Sequence, residues 1–157
     1  MTTPAEGAPL PAAIADWFAG RGWRVRNHQA AMFTADRAGD HALLVASTGA
    51  GKTLAGFLPT LADAAEGPIE GLHTLYISPL KALAVDIQRN LKAPINEIGL
   101  PLTVETRTGD TPSDRKARQR VRPPNILLTT PESLSLMLSH EDSFTLFAGL
   151  KRVVIDE

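Results

Sequence analysis

The sequence contains no cysteine among its 157 residues. This absence excludes disulfide bonds and zinc sites that are built on cysteine thiolates. An excess of charge is missing as well, because 16 basic and 17 acidic residues leave a formal net charge of −1. A chain with this balance has no overall electrostatic attraction to nucleic acid. Any basic surface that serves such a partner must therefore be local.

Long apolar runs are also absent. No stretch approaches the roughly 20 apolar residues that cross a membrane. The N-terminus carries no basic start and no long apolar segment, so it lacks the pattern of a secretory signal. We therefore predict a cytoplasmic protein with no membrane partner. Residues 1–9 are small and rich in proline and glycine, and we predict that they are disordered.

What the sequence does contain is an alternation of apolar strands and amphipathic helices. Strands are predicted at residues 42–45, 73–78, 102–107, 126–129 and 152–155. Helices are predicted after Pro11, after Asn27 as N-cap, behind the glycine-bearing loop at 46–53, from Leu80 to Ile98, after Thr111-Pro112 and after Thr130-Pro131. Pro94 should kink or interrupt the helix that contains it. The alternation predicts an α/β fold with a parallel sheet covered by helices, and ligands bind at the carboxyl ends of the strands in such sheets.

The loop behind the first predicted strand has the pattern of a phosphate-binding P-loop. It reads Ala46-Ser47-Thr48-Gly49-Ala50-Gly51-Lys52-Thr53. The glycines let backbone N–H groups converge on phosphate oxygens, and the helix that follows directs its positive end to the same point. Lys52 would reach the β- and γ-phosphates, and the Thr53 hydroxyl would bind Mg²⁺. The usual first glycine of the pattern is Ala46 here.

An acidic pair follows the last predicted strand. Phosphoryl transfer to water needs a carboxylate that holds Mg²⁺ and a group that orients or deprotonates the water. Asp156 is the candidate for the metal and Glu157 for the water, so Lys52 and Glu157 are the catalytic candidates. An acidic pair alone often marks only the end of a strand, and the P-loop upstream is what favours a functional pair here.

Four further motifs complete a pattern. They are Ser78-Pro79-Leu80-Lys81-Ala82-Leu83-Ala84, Arg107-Thr108-Gly109-Asp110-Thr111, Thr129-Thr130-Pro131-Glu132-Ser133-Leu134 and the closing Val154-Ile155-Asp156-Glu157. With the P-loop, in this order and at these spacings, the chain resembles the first motor domain of superfamily-two DExH-box helicases. Within them it is most similar to the large helicase-related (Lhr) family, of the ligase-associated DNA-repair type. The resemblance runs from about residue 10 to the end.

This resemblance implies ATP and Mg²⁺ as cofactors and assigns roles to further residues. Gln29 matches the adenine-reading glutamine of these motors, with Arg26 and Trp23 near enough to flank the base; without the other motifs Gln29 would read as a solvated helix residue. Contacts to the nucleic-acid backbone are implied for Pro79, Leu80, Lys81, Thr108, Gly109, Asp110, Thr130, Pro131 and Glu132. The implied partners are single-stranded DNA or a tailed duplex, and DNA-repair proteins such as a ligase or nuclease.

Two alternatives stay open for the implied nucleic-acid surface. Thr130 and Pro131 would begin any helix, with or without a phosphate nearby. The basic residues Arg107, Arg115, Lys116, Arg118, Arg120 and Arg122 either form a local rim for a strand or are a solvated helix face.

The family pattern continues beyond Glu157. In the family, a Ser/Thr-bearing strand lies between the P-loop strand and the acidic strand, and a second motor domain supplies an arginine finger. We therefore expect residues 10–157 to be part of a first RecA-like domain, an N-terminal fragment that does not unwind DNA alone and has poor stability. Two alternatives are a non-catalytic fragment that binds nucleotide or nucleic acid, and an RNA-directed helicase of the same superfamily.

Overall fold

The computed structural model describes residues 7–157. Most of the segment predicted to be disordered lies outside this range, and residues 7–9 form no regular structure. The chain divides into two compact units, the first ending at Gly67 and the second beginning at Pro68.

The first unit consists of three helices. They are α1 (Ala12–Gly20), α2 (Asn27–Ala38) and α3 (Lys52–Glu66). Helix α1 buries Ile14 and Phe18. Helices α1 and α2 both contact α3. The end of α2 is tied to α3 by Arg37, whose guanidinium lies 3.2 Å from the Asp63 carboxylate and 3.0 Å from that of Glu66.

The predicted strand before the P-loop is wrong. Residues 42–45 have no strand geometry, and Leu43 and Val45 are 89% and 86% exposed. A strand persists only where a neighbour completes its hydrogen-bond ladder. Within residues 7–157, no strand is paired with this segment. The apolar pattern at 42–45 therefore did not predict a strand correctly, because the structure gives this segment no partner.

The second unit is a parallel sheet with connecting helices. Its elements are β1 (Thr74–Ile77), α4 (Lys81–Ile98), β2 (Val104–Arg107), α5 (Ser113–Val121), β3 (Ile126–Thr129), α6 (Pro131–Leu138), α7 (Ser143–Phe147) and β4 (Arg152–Ile155). The strand order is β2-β3-β1-β4, and all three pairings are parallel. This confirms the predicted fold class, with four strands in residues 7–157 instead of five.

One face of this sheet carries a buried apolar cluster. Leu75 of β1 and Leu127 of β3 pack with Leu72, Met137 and Leu146. Alternation along a strand sends successive side chains to opposite faces, which is why single positions of β1 and β3 share this cluster. Helix α4 packs against β2 and β3. The outer strand β4 leaves Val153 and Ile155 48% and 75% exposed.

Several local predictions are corrected. Helix α4 runs through Pro94 without interruption. Helix α2 begins at Asn27 with Arg26 at the N-cap, and α5 has Pro112 at the N-cap in place of Thr111. The Thr111 hydroxyl instead accepts a hydrogen bond from the Thr108 N–H group at 3.0 Å. The short helix α7 had no strong periodic signal and was not predicted.

Candidate nucleotide-binding loop and nucleic-acid-contacting motifs

The P-loop leads directly into α3. Gly49 and Gly51 have φ angles of 80° and 76°, in the left-handed region that favours glycine. Gly51 is the N-cap of α3, so Lys52 and Thr53 lie in the first helical turn. The N–H groups of a first turn have no partner within the helix, and they carry the positive end of its dipole. This arrangement suits a phosphate.

Space around Gly51 is restricted as well. A Cβ atom at this position would lie 2.8 Å from Nε2 of Gln29, closer than carbon and nitrogen pack without displacement. Ala46, which departs from the usual glycine of the pattern, has no positive φ angle. Alanine is therefore accommodated at that position without backbone strain.

Three side chains from the start of α2 bind three successive carbonyl groups of the loop. Arg26 Nη1 donates to the Gly49 carbonyl at 3.2 Å, His28 Nε2 lies 2.6 Å from the Ala50 carbonyl, and Gln29 Nε2 donates to the Gly51 carbonyl at 3.3 Å. In a trans peptide the C=O and the following N–H point in opposite directions. The N–H groups of Gly51 and Lys52 therefore point away from α2.

His28 is a site residue that the sequence did not reveal. It belongs to no motif of the resemblance, and its ring has no metal-ligand spacing to another histidine. Only its position next to Gln29 hinted at a role. Sequence spacing cannot show that a side chain 22 positions before the loop carbonyl of Ala50 will contact it.

Gln29 is not a solvated helix residue. It is 3% exposed, and both ends of its amide are engaged. Oε1 accepts from the Arg26 N–H group at 2.9 Å, while Nε2 donates to the P-loop at Gly51. The glutamine thus links the start of α2 to the loop.

Trp23, which the resemblance places beside the base, contacts Arg21. The Arg21 guanidinium lies over the rings of both Trp17 and Trp23, with distances of 5.2 and 4.9 Å to the ring centroids.

In the second unit, strand β1 holds the acidic pair. The Asp156 N–H group donates to the Ile77 carbonyl at 2.9 Å. The Tyr76 hydroxyl donates to Oδ2 of Asp156 at 2.7 Å. Burial raises the pKa of Tyr76, and the hydrogen bond to the Asp156 carboxylate raises this pKa further. The phenol therefore keeps its proton and remains a donor. Glu157 is exposed.

The donor groups fit a magnesium ion. Mg²⁺ takes oxygen ligands, commonly one or two from the protein with the rest from phosphates and water. In the first unit, Thr53 offers a hydroxyl. In the second unit, Asp156 offers a carboxylate, which keeps lone pairs beyond the one used by Tyr76. Within residues 7–157, no group of three or more His, Cys, Asp or Glu side chains could hold a metal. A metal ion at either residue would take most of its ligands from the nucleotide and water.

The implied nucleic-acid motifs follow three neighbouring strands. In the sheet register, Thr129 of β3 is level with both Ile77 of β1 and Arg107 of β2. Because the strands are parallel, the segments 78–81, 108–110 and 130–132 emerge at one edge of the sheet. The structure thus brings these three segments of the second unit together.

Two of these segments are in direct contact. Lys81, the first residue of α4, places Nζ 3.2 Å from Oδ2 of Asp110. A Cβ atom at Gly109 would lie 3.3 Å from the same Nζ, so glycine gives the lysine room to approach. Leu80 beside it is 56% exposed. Lys81 and Asp110 are both exposed, which leaves their charges accessible to a strand.

The two threonines of these motifs are buried and shape the backbone. Thr108 accepts a hydrogen bond from the Asp110 N–H group at 3.3 Å. Thr130 is the N-cap of α6 and accepts from the Ser133 N–H group at 3.4 Å. Pro131 occupies the first helical turn, as predicted. Glu132 is exposed.

The basic segment is not one continuous rim. Arg107 is buried, and Nη1 donates to the Lys116 carbonyl at 3.0 Å. Burial lowers the pKa of Arg107. Arg118 pairs with Glu105, and Arg120 pairs with Asp142 at 2.9 Å. Lys116 Nζ donates to the Gly109 carbonyl at 3.4 Å. Four of the six basic side chains are thus bound within the unit, which argues against a rim formed by all of them.

Comparisons with known proteins show the family of this chain. The DEAD/DEAH box helicase family matches residues 26–157. The match covers well over half of the sequence, and the chain therefore belongs to the DEAD/DEAH box helicase family. It is 45% identical over 142 residues to a Mycolicibacterium smegmatis protein named "Lhr helicase/ probable uracil glycosylase". It is also 40% identical over 134 residues to the "ATP-dependent helicase Lhr-Core" of Methanocaldococcus jannaschii.

These alignments cover 82% and 76% of this chain but only 9% and 16% of the two relatives. The chain is similar to the structure of Mycobacterium smegmatis helicase Lhr bound to ssDNA and AMP-PNP, with a TM-score of 0.86, 38% identity, and coverage of 94% of this chain and 20% of that one. It is also similar to the DUF1998 helicase MrfA bound to DNA and AMPPNP, with a TM-score of 0.84, 31% identity and coverage of 97% and 22%.

Among the helices of residues 7–157, none is both long and apolar enough to cross a membrane.

Proposed function

We propose that this chain is the N-terminal part of an ATP-dependent DNA helicase or translocase of the Lhr type. In this proposal, residues 10–157 are part of its first RecA-like domain. The observation that carries the proposal is the P-loop, in which Gly49 and Gly51 place Lys52 and Thr53 in the first turn of α3. Support also comes from relatives that are named ATP-dependent helicases and from similar structures that contain DNA and a nucleotide analogue.

The P-loop binds the phosphates of ATP in this account. The N–H groups of Gly51 and Lys52 donate to phosphate oxygens, and the Lys52 ammonium balances their negative charge. Gln29 binds the adenine base in this proposal, and Arg26 lies beside that base. Ser47, Thr48 and Ala50 complete the loop around the phosphates.

Hydrolysis requires the acidic pair of the second unit. Thr53 and Asp156 would hold Mg²⁺, which when bound neutralises charge on the phosphate oxygens. Glu157 orients and deprotonates the attacking water. Tyr76 holds the Asp156 carboxylate by its hydrogen bond.

The edge formed by segments 78–81, 108–110 and 130–132 binds a single strand in this account. Lys81 supplies the positive charge, while the N–H groups at the start of α6 supply neutral donors. Contacts of this kind bind the sugar–phosphate backbone and read no sequence. Single-stranded DNA, or the single-stranded tail of a duplex, is the expected partner.

An unwinding assay tests the proposal. The full-length protein is mixed with ATP, Mg²⁺ and a tailed duplex of DNA, and strand separation is followed by fluorescence. We expect ATP-dependent separation, which Glu157→Gln abolishes while nucleotide binding is kept. A protein that binds ATP and separates only an RNA duplex would instead be the RNA-directed helicase. A full-length protein that binds ATP and separates neither would contradict the proposal.

The activity and stability of the 157-residue chain by itself differ, in our proposal, from those of the full-length protein. Leu43 and Val45 in the first unit, and Ile155 in the second, expose apolar side chains that would favour aggregation. We therefore propose that this chain alone binds nucleotide or nucleic acid at most and does not unwind DNA. Strand separation by the purified 157-residue chain, or a sharp thermal transition of its monomer, would contradict this.

We propose DNA repair as the process this protein serves, in the cytoplasm of its cell and with a ligase or nuclease as a partner. The resemblance to the ligase-associated helicases supports this role. One relative is named as both helicase and uracil glycosylase. Deleting the gene should sensitise cells to DNA damage, and the Lys52→Ala protein should fail to restore survival. Equal survival with and without the gene would contradict the repair role.

A further inference from the structure

A buried chain of hydrogen bonds joins the start of α4 to the acidic pair. The Leu80 N–H group donates to the Ser78 hydroxyl at 3.3 Å. Ser78 follows Tyr76 by two positions, so the two side chains face the same side of the extended chain. Burial and Asp156 raise the pKa of Tyr76, whereas a hydrogen bond from the Ser78 hydroxyl lowers it. Tyr76 donates to Oδ2 of Asp156 at 2.7 Å. Ser78 and Tyr76 are 0% and 1% exposed, so the two central hydroxyls are shielded from water.

The same strand also holds the backbone of Asp156. Its N–H group donates to the Ile77 carbonyl, one residue after Tyr76 and one before Ser78. Both the main chain and the side chain of Asp156 therefore take their position from β1. Strand β1 ends at Ile77 and α4 begins at Lys81, so only Ser78, Pro79 and Leu80 separate the strand from the helix. Residues 79–81 are the segment proposed to contact the nucleic-acid backbone.

We propose that Tyr76 is a positioning residue that couples strand binding at residues 79–81 to the carboxylate of Asp156. This inference rests on the proposed function. A DNA strand bound at residues 79–81 displaces or fixes the Leu80 N–H group. The Ser78 and Tyr76 hydroxyls transmit this change in position to the Asp156 carboxylate. Hydrogen bonds in series within a region of low dielectric polarise one another, so a change at one end is felt at the other.

Coupling of this kind is measured as the ratio of two affinities. The affinity of the full-length protein for Mg²⁺ and a non-hydrolysable ATP analogue is measured with and without saturating single-stranded DNA. In allosteric proteins, the affinity at one site commonly changes by about 5- to 150-fold when the other site is occupied. We expect a ratio in this range for the wild-type protein, and a drop to within about twofold of unity for Tyr76→Phe. Because the readout is binding, it does not depend on turnover.

Two further variants separate coupling from stability. Ser78→Ala removes the middle of the chain but leaves the Tyr76–Asp156 bond, and it should also reduce the ratio. Thr103→Val is the matched control, because it removes a hydroxyl that bonds Asn125 at the opposite, amino-terminal end of the sheet. Thr103→Val should keep the wild-type ratio. If Tyr76→Phe does not fold, the Ser78→Ala ratio decides.

The outcomes distinguish this inference from the proposed function. A wild-type protein that binds neither the nucleotide analogue nor DNA contradicts the proposed function itself. A wild-type protein with a clear ratio that Tyr76→Phe and Ser78→Ala leave unchanged overturns only the role of Tyr76. A ratio that falls in both variants and persists in Thr103→Val supports it.

Discussion

Lys81 and Asp110 form an ion pair of 3.2 Å between two segments that follow different strands of the sheet. Lys81 begins α4 after β1, whereas Asp110 follows β2. Both side chains are exposed, so the pair itself adds little to stability. Its significance lies in where it holds the lysine. Asp110 partly neutralises the positive charge of Lys81, and Lys81 is the residue that we propose to contact the phosphate backbone of bound DNA.

Lys81→Ala should weaken binding of single-stranded DNA about equally for all sequences. Because one phosphate contact is lost, the slope of log affinity against log salt should fall by roughly one in the full-length protein. Fluorescence anisotropy at several salt concentrations measures this slope. Arg89→Ala is the control, since it removes a positive charge of the same helix that pairs with Asp86, three positions earlier. An unchanged slope for Lys81→Ala would remove Lys81 from the binding surface.

Asp110→Asn should have the opposite effect on DNA affinity. The substitution removes the carboxylate that competes with phosphate for Lys81, and it keeps the size of the side chain. We expect DNA to bind a few-fold more tightly at low salt, with the gain disappearing at high salt because exposed charges are screened. Weaker binding by Asp110→Asn would mean that the carboxylate itself orients the lysine for the strand.

His28→Ala should weaken nucleotide binding. The variant removes the 2.6 Å contact to the Ala50 carbonyl, one of three that hold the P-loop to α2. A single hydrogen bond contributes on the order of 1 kcal/mol, which corresponds to a roughly fivefold loss of affinity. Titration of the full-length protein with a fluorescent ATP analogue measures this loss. His41→Ala changes an exposed histidine of the same unit and serves as the control. Equal affinities for the two variants would show that His28 does not support the loop.

Thr130→Ala should loosen the start of α6. It removes the side-chain oxygen that accepts from the Ser133 N–H group, and losing an N-cap costs about 1 kcal/mol. Hydrogen exchange across residues 131–138 of the full-length protein should become several-fold faster, because local opening requires less free energy. Thr145→Ala, at an exposed position within α7, should leave exchange in α6 unchanged. Unchanged exchange in Thr130→Ala would contradict the capping role.

Local signals in the sequence predicted most elements of the second unit. The apolar run at 126–129 coincides with β3, and Thr130-Pro131 begins α6 as expected. These predictions succeeded because strand length, N-cap chemistry and proline placement act over a few residues. The strand at 42–45 failed for the opposite reason, because a strand depends on a neighbour that local pattern cannot supply.

The candidate site divides in the same way. The P-loop and the acidic pair were recognisable because their chemistry is carried by adjacent residues. The side-chain contacts that support them were not predictable. Tyr76 meets Asp156 across 80 residues, and His28 meets Ala50 across 22. Neither contact leaves a periodic or spacing signal in the sequence, since each arises only when separate elements pack together.

We propose that this chain belongs to a motor whose hydrolysis of ATP is accelerated by a bound DNA strand. The ATPase rate of the full-length protein, with and without single-stranded DNA and beside Lys52→Ala, tests this proposal. We expect DNA to raise the rate at least about tenfold and Lys52→Ala to abolish hydrolysis in both conditions. A wild-type rate that DNA does not change, or one that survives in Lys52→Ala, would contradict it.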